Sequence, residues 1–203
     1  MFTHEYAHTF VAWALRWKNN PFALHVPPLS TASLLIQSDV DQNVNEAPIM
    51  ASGRGVDVGL IALAAPLLGN AIVSLTLGVL LYRLGRRWNR HVAMRLGFWL
   101  VVATLGNVLD YVPIRTFTLS GDMGSLQRGF GWSPWTIIAV LGAPTLLSLL
   151  WLLVRFIPDT ARLLFPTSRV NLCVLSVVAK GVVFVFYGAA GLMEGGPVSF
   201  RLS

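Results

Sequence analysis

Four long apolar runs dominate the chain, and each is long enough to cross the hydrocarbon core of a bilayer. A helix needs about 20 mostly apolar residues to span that core, which is about 30 Å thick. The runs cover residues 56–82, 92–112, 135–157 and 170–193. This pattern predicts four transmembrane helices.

A further helix is predicted before them, over residues 1–17. It is apolar and aromatic after His8 but has almost nothing before His4. A full span of about 20 residues would need several more at the N-terminus. We therefore expect the chain to begin inside its first transmembrane helix, as a fragment or from a misplaced start. The predicted fold class is an all-α polytopic membrane protein with about five transmembrane helices.

The connection over residues 18–55 is the one region without a membrane-like pattern. Asn19, Asn20 and Pro21 stop the first helix, and short β-prone runs follow at residues 22–26 and 34–37. These runs predict a small interfacial β-hairpin, and the polar residues 39–48 predict a mobile loop. With no internal repeat, residues 1–203 are expected to form a single membrane domain.

Composition agrees with a membrane protein. Hydrophobic residues make up 55% of the chain, charged residues only 12%, and the mean hydropathy is +0.65. Such a chain is too apolar for a soluble domain of this size. We expect a multi-pass protein of a bacterial cell membrane. Cys173 is the single cysteine, which excludes an intramolecular disulfide and a cysteine-rich metal site.

The formal charge of +6 does not indicate a nucleic-acid partner, because the basic residues cluster beside the apolar runs. Five arginines crowd the connection after the run 56–82, namely Arg83, Arg86, Arg87, Arg90 and Arg95. Clusters of this kind usually mark the cytoplasmic side of a membrane. We interpret them as topology signals and lipid-headgroup contacts.

The most specific motif is a pair of histidines one helical turn apart. His4, Glu5 and His8 fit the pattern H-E-x-x-H. On a helix both histidines project from one face and can bind the same metal ion. The pattern is typical of hydrolytic zinc sites in which the glutamate is the general base. It predicts Zn²⁺ as cofactor and Glu5 as the catalytic residue.

A catalytic zinc ion usually has three protein ligands, so the chain should hold one more. Two aspartates are candidates for this third ligand. Asp110 lies three residues after Asn107, near the end of the run 92–112, where a carboxylate is costly unless it is functional or paired. Asp122 follows the break at Pro113, and the ordinary alternative for it is the N-cap of a surface helix.

The order of these motifs resembles that of the site-2 family of intramembrane zinc metalloproteases. That family carries H-E-x-x-H in its first core helix, a small-residue proline motif in its second and a broken stretch leading to a ligating aspartate at its third. The matching positions are His4 to His8, then Ala65, Pro66, Gly69 and Asn70, and finally Asn107, Pro113 and Asp122. The resemblance implies that Asp122 is the third ligand. Asp110, Asn107 and Asn70 are then expected to support the ligands or to replace one.

The expected function is hydrolysis of peptide bonds in membrane proteins, within or near the bilayer. A helical substrate must unwind locally, and the hairpin could hold the unwound strand by β-addition. The expected partners are a membrane-protein or peptide substrate and the lipid bilayer. The alternative is a proteolytically inactive scaffold or transporter-like protein of the same fold. The long gap from Asn107 to Asp122 favours this alternative, whereas the intact Glu5 counts against it.

Two features stay open at this point. Lys180, near the middle of the last run, either pairs with a carboxylate such as Asp110 or extends to the interface. The arginines of residues 83–95 and 155–169 are expected on one side, which positive-inside reasoning makes cytoplasmic. The family resemblance instead places the connection after the first helix in the cytoplasm.

Overall fold

The computed structural model describes residues 2–27 and 40–189, together with Val198 and Arg201, and within these residues it contains no strand. The helices are α1 (Phe2–Ala14), α2 (Glu46–Ala51), α3 (Gly55–Arg87), α4 (His91–Phe117), α5 (Gly121–Phe130), α6 (Pro134–Leu164) and α7 (Arg169–Tyr187). The all-α class is confirmed for the described residues.

Four of these helices, α3, α4, α6 and α7, are long and apolar enough to cross a membrane. Each overlaps one of the four predicted runs, as expected of an integral membrane protein. The end of the last run, from residue 190 to 193, lies outside the described residues. Helix α1 has 13 residues, fewer than the about 20 that a span requires. The described residues therefore give four spanning helices, where about five were predicted.

Helix α1 ends three residues earlier than its sequence pattern predicts. Arg16 adopts a left-handed conformation with φ of 65°. The N–H of Arg16 donates to the carbonyl of Trp13, and the N–H of Trp17 donates to that of Ala12. This pair of bonds is the Schellman arrangement, which satisfies the last carbonyls of a helix. The helix thus stops before the polar stretch that was expected to break it.

The predicted β-hairpin is not supported. Its first run, residues 22–26, contains turns and a single isolated bridge in which His25 pairs with Asp41. Its second run, residues 34–37, lies outside the described residues. The predicted loop over residues 39–48 is partly wrong, because α2 starts at Glu46 after Asn45, whose side chain accepts a bond from the N–H of Ala47. An asparagine cap of this kind favours a helix start.

The chain divides into two compact units. The first comprises the residues up to Val73 together with Ser120–Trp132, and the second comprises Ser74–Leu119 and the residues from Ser133 onward. Helices α1, α2 and α5 and the first part of α3 belong to the first unit. The remainder of α3 and helices α4, α6 and α7 belong to the second. This division does not test whether residues 1–203 form a single membrane domain, which stays a prediction.

In the first unit, α5 packs against the start of α3 at unusually short distance. A Cβ atom added to Gly129 of α5 would collide with the backbone of Gly59 and lie 2.7 Å from the carbonyl oxygen of Gly55. Only hydrogen fits at such a contact, so the two backbones approach as closely as small residues allow. Ser125 and Arg128 of α5 also bond to Glu46 of α2, at 2.7 Å and 3.4 Å. These contacts fix the helix that carries Asp122.

A polar contact also joins the residues that follow helix α1 to the start of α3. The indole N–H of Trp17 donates to Oδ2 of Asp57 at 2.6 Å, and Arg54 forms an ion pair with the same oxygen at 2.6 Å. The Arg54 guanidinium also lies 5.0 Å from the centre of the Trp17 ring. Apolar residues bury the region beside this contact, namely Ala12, Ile49, Val58 and Ile61.

The core of the second unit is apolar and aromatic. Helices α3 and α4 approach closely at Gly97, where an added Cβ would collide with the backbone of Tyr82. The ring of Phe156 from α6 stacks on Phe98 with 5.8 Å between centroids and lies 4.8 Å from the Tyr82 ring. This packing brings α3, α4 and α6 together around one cluster.

Candidate metal centre

The two motif histidines lie on the buried face of α1. His4 is 6% exposed and His8 is 1% exposed, and their ring centroids are 5.0 Å apart. The spacing of four residues places the rings one turn apart on the same face, as the sequence predicts. Buried polar rings need hydrogen-bond partners or a metal on each nitrogen, so both nitrogens of each ring have to be accounted for.

Asp122 faces both Nε2 atoms. Its Oδ2 atom lies 3.0 Å from Nε2 of His4 and 3.2 Å from Nε2 of His8. Asp122 sits in the first turn of α5, where a carboxylate is favoured by the positive end of the helix dipole. Burial alone raises the pKa of this carboxyl group. The charge of His8 and the hydrogen bonds from both rings outweigh it and hold the pKa of Asp122 well below its usual range.

The Nδ1 atoms are held from the opposite side. Nδ1 of His8 donates to the backbone carbonyl of Ile61 at 2.6 Å, and Nδ1 of His4 lies 3.2 Å from the side-chain amide of Asn70. A donor bond at Nδ1 leaves Nε2 as the atom that binds a proton or a metal. For His4 the same tautomer requires the Asn70 amide to turn its oxygen toward Nδ1, and such a rotation keeps the shape of the side chain.

Asn70 reaches His4 because α3 widens where it passes α1. Residues Ala65–Ser74 form a π-helix, a type of turn that is frequent at functional sites. Pro66 contributes to this irregularity, since it has no N–H to donate to the preceding turn. A Cβ on Gly69 would lie 2.5 Å from the carbonyl oxygen of Thr3 and 2.9 Å from Cα of His4. Gly69 therefore lets α3 approach the motif helix closely.

Glu5 lies beside the histidine pair but is not among the residues that face Asp122. Its Oε1 atom is 3.8 Å from Nε2 of His4, and its side chain is 13% exposed. The carboxylate is therefore near the atoms that would hold a metal while it keeps some access to solvent. This places the Glu5 carboxylate next to the candidate ligands, where one bridging water could join it to an ion held by them.

The structure places the other two sequence candidates in the second unit. Asp110 is 4% exposed and forms an ion pair with Arg115, whose Nε lies 3.0 Å from Oδ1 of the carboxylate. Asn107 is half-buried on α4, and Lys180 is exposed on α7. The backbone of α4 departs from helical geometry at Val112, next to Pro113, as the break predicted there requires.

The three residues His4, His8 and Asp122 have the composition and spacing of a metal site. Their ligand atoms all lie within 4.8 Å of one another. Ligands at about 2.1 Å from a tetrahedral zinc ion would lie about 3.4 Å apart, close to the 3.0 Å and 3.2 Å between Oδ2 of Asp122 and the two Nε2 atoms. With Nδ1 of His8 donating to Ile61, Nε2 of the neutral ring presents a lone pair toward the carboxylate oxygen, so this contact needs either a proton on the ring or a metal cation between the two atoms. The donor set fits zinc.

Sequence reasoning missed the contacts that orient these ligands. The carbonyl of Ile61 gives no signal in the sequence, because every residue carries one. The packing of Gly129 against Gly55 and Gly59 did have a signal, the small-x-x-x-small spacing at the start of α3.

Comparisons with protein-family models, with curated proteins and with solved structures found no match to this chain. The interpretation of the site therefore rests on its own geometry.

Proposed function

We propose that this protein is a membrane-embedded zinc metalloprotease, similar to the site-2 family, which hydrolyses peptide bonds of membrane proteins within or near the bilayer. The observation that supports the proposal most is the meeting of Oδ2 of Asp122 with the Nε2 atoms of His4 and His8, at 3.0 Å and 3.2 Å. These residues come from helices more than a hundred residues apart in the chain.

The ligand set favours a catalytic over a structural zinc site. Structural sites use four protein ligands and are rich in cysteine, whereas catalytic sites use three and leave one position open. His4, His8 and Asp122 supply two nitrogens and one oxygen, and the described residues add no fourth histidine, cysteine or carboxylate to this group. When bound, a zinc ion supplies Lewis acidity that polarises a carbonyl group and lowers the pKa of water to about 7.

Glu5 is the general base in this proposal. Its carboxylate accepts a proton from the attacking water and passes it to the leaving amine. Asn70 and the Ile61 carbonyl hold the histidine rings in the orientation that directs Nε2 toward Asp122. Burial of both rings limits competing water around them.

The substrate class follows from the setting. Four helices apolar enough to span a membrane favour a substrate that also lies in the membrane. Such a substrate must lose helical hydrogen bonds locally before its carbonyl can react, because an intact helix engages every backbone oxygen. β-Addition to a hairpin is not part of the proposal, since the described residues contain no strand.

The test is a cleavage assay with the purified, zinc-loaded full-length chain. Casein and a doubly tagged single-span protein in liposomes serve as substrates. Glu5→Gln should keep its zinc and lose about 100-fold or more of the rate, because an amide cannot accept the proton. Asp159→Asn removes one carboxylate from the second unit and should cleave at the parent rate. His4→Ala and His8→Ala should each lose most of the metal.

Two outcomes would count against the proposal. Cleavage by Glu5→Gln at the parent rate would remove Glu5 from the chemistry. Zinc binding without cleavage of either substrate by the parent would favour the inactive scaffold instead.

A further inference from the structure

Helices α3 and α6 of the second unit line a common cavity of about 500 Å³ with arginines. Arg83, Arg86 and Arg87 come from the last two turns of α3, and Arg155 comes from α6. All four side chains are exposed. Asp159 also lines the cavity, but its Oδ1 is already engaged by another arginine at 3.1 Å. The cavity therefore holds a large excess of positive charge.

The arginines of this cavity repel one another, and a bound anion would offset the repulsion. Arg83 lies three and four residues before Arg86 and Arg87, so three like charges share one helix face. Among the described residues, no carboxylate forms an ion pair with these three arginines or with Arg155. Guanidinium groups bind phosphate through two parallel N–H bonds, which an ammonium group cannot provide. The arginines that line the cavity, called its basic rim below, therefore fit a phosphate group.

The bottom of the cavity is lined by packed aromatic side chains. Tyr82 and Phe156 are each 8% exposed, and the hydroxyl of Tyr82 accepts a bond from Oγ1 of Thr160 at 3.0 Å. Trp151 stacks on Phe156 with 4.8 Å between centroids and is itself 41% exposed. Exposed tryptophan is typical of the membrane interface. An anion that also carries an apolar chain can use both the basic rim and these aromatic side chains.

We propose that this cavity binds the phosphate headgroup of an anionic phospholipid, with the acyl chains lying against α3 and α6. The cavity lies beside the last two turns of α3, a helix long and apolar enough to span a bilayer, and lipid headgroups are found at the ends of such helices. A pure topology signal would not require arginines from two distant helices to line one cavity. It also would not separate Arg83, Arg86 and Arg87 from Arg90 and Arg95, which belong to the same cluster in the sequence but do not line the cavity.

The test measures lipid binding to the detergent-solubilised full-length chain by native mass spectrometry. The probes are dihexanoyl phosphatidylglycerol, dihexanoyl phosphatidylcholine and inorganic phosphate. Arg83→Gln/Arg155→Gln removes two cavity charges, and Arg90→Gln/Arg95→Gln removes two charges beside the cavity as a matched control. Each interfacial arginine changes lipid affinity about fivefold, so the cavity variant should bind phosphatidylglycerol about 25-fold more weakly, and the control should match the parent.

Three results would overturn the proposal. Equal losses in both double variants would reduce the effect to general surface charge. Phosphatidylcholine binding as tightly as phosphatidylglycerol would remove the need for the arginines. Displacement of the lipid by equimolar inorganic phosphate would identify free phosphate as the ligand. The single variants Arg83→Gln and Arg155→Gln carry the same test, at about fivefold each, if the double variant aggregates. The readout is lipid binding, so the outcome is independent of proteolysis.

Discussion

Replacing Asp122 with asparagine tests the proposed metal centre at the ligand that lies farthest along the chain from the other two. The substitution keeps the size of the side chain and removes its negative charge. Oδ2 is the atom that faces both Nε2 atoms, at 3.0 Å from His4 and 3.2 Å from His8, so the change acts on both contacts together. A neutral amide is a poor zinc ligand compared with a carboxylate.

The size of the effect can be bounded from the role of the residue. Loss of a partner that only orients a ligand costs about 10-fold to 100-fold in metal affinity. Asp122 is proposed to bind the metal directly, so its loss should cost at least the upper end of that range. A 100-fold loss corresponds to about 2.8 kcal/mol of binding free energy. The effect on folding should be smaller, because an amide still accepts hydrogen bonds from both rings.

Zinc affinity is measured by competition with a chromophoric chelator, and stoichiometry by elemental analysis of the solubilised protein. Asp110→Asn is the matched control, since it makes the same chemical change at the other aspartate that the sequence leaves open. Asp110 pairs with Arg115 at 3.0 Å, so its replacement should lower the thermal midpoint but leave zinc affinity unchanged. Size-exclusion chromatography checks that both variants stay monodisperse.

One pattern of results would refute the reasoning. If Asp122→Asn keeps the parent affinity while Asp110→Asn loses zinc, the meeting of Asp122 with the histidines is an ordinary ion pair. The third ligand would then be Asp110, and the carboxylate at α5 would serve only to satisfy two buried rings.

Three further predictions concern the residues around the ligands. Asn70→Ala should weaken zinc binding about 10-fold to 100-fold by freeing the His4 ring, whereas Asn107→Ala should leave it unchanged in the same chelator assay. Gly129→Leu should force α5 away from α3 and weaken zinc binding without altering any ligand, and parent-like affinity would contradict this. Arg115→Met removes the guanidinium paired with buried Asp110. It should cost about 3 kcal/mol of stability in chemical denaturation, the low end for a buried pair because Arg115 is partly exposed.

The spanning helices could be predicted because their signal is local and strong. Each of α3, α4, α6 and α7 carries a continuous apolar run, and a bilayer leaves helix as the natural structure for such a run. The connection between α1 and α3 could not be predicted in the same way. Short β-prone runs such as residues 22–26 fit several structures, and tertiary contacts decide among them. The Asn45 cap that starts α2 has a sequence signal, but the polar composition around it suggested a loop.

The candidate site likewise has a part that local sequence predicts and a part that depends on contacts between distant segments. The histidine pair is encoded by a spacing of four residues, so the shared face follows from helix geometry alone. The position of Asp122 depends instead on how closely α5 packs on α3. The spacing of Gly55 and Gly59 signals that some helix approaches α3 closely, but it does not identify Gly129 of α5 as the partner. The arginine cluster shows that residues close in the sequence need not share one site. The sequence placed Arg83, Arg90 and Arg155 on one side of the membrane without saying which of them meet. The cavity brings Arg155 to Arg83 and leaves Arg90 out, because α3 and α6 pack against each other there. Chemistry that lies on one helix can therefore be inferred from spacing, and chemistry shared between helices needs the packing.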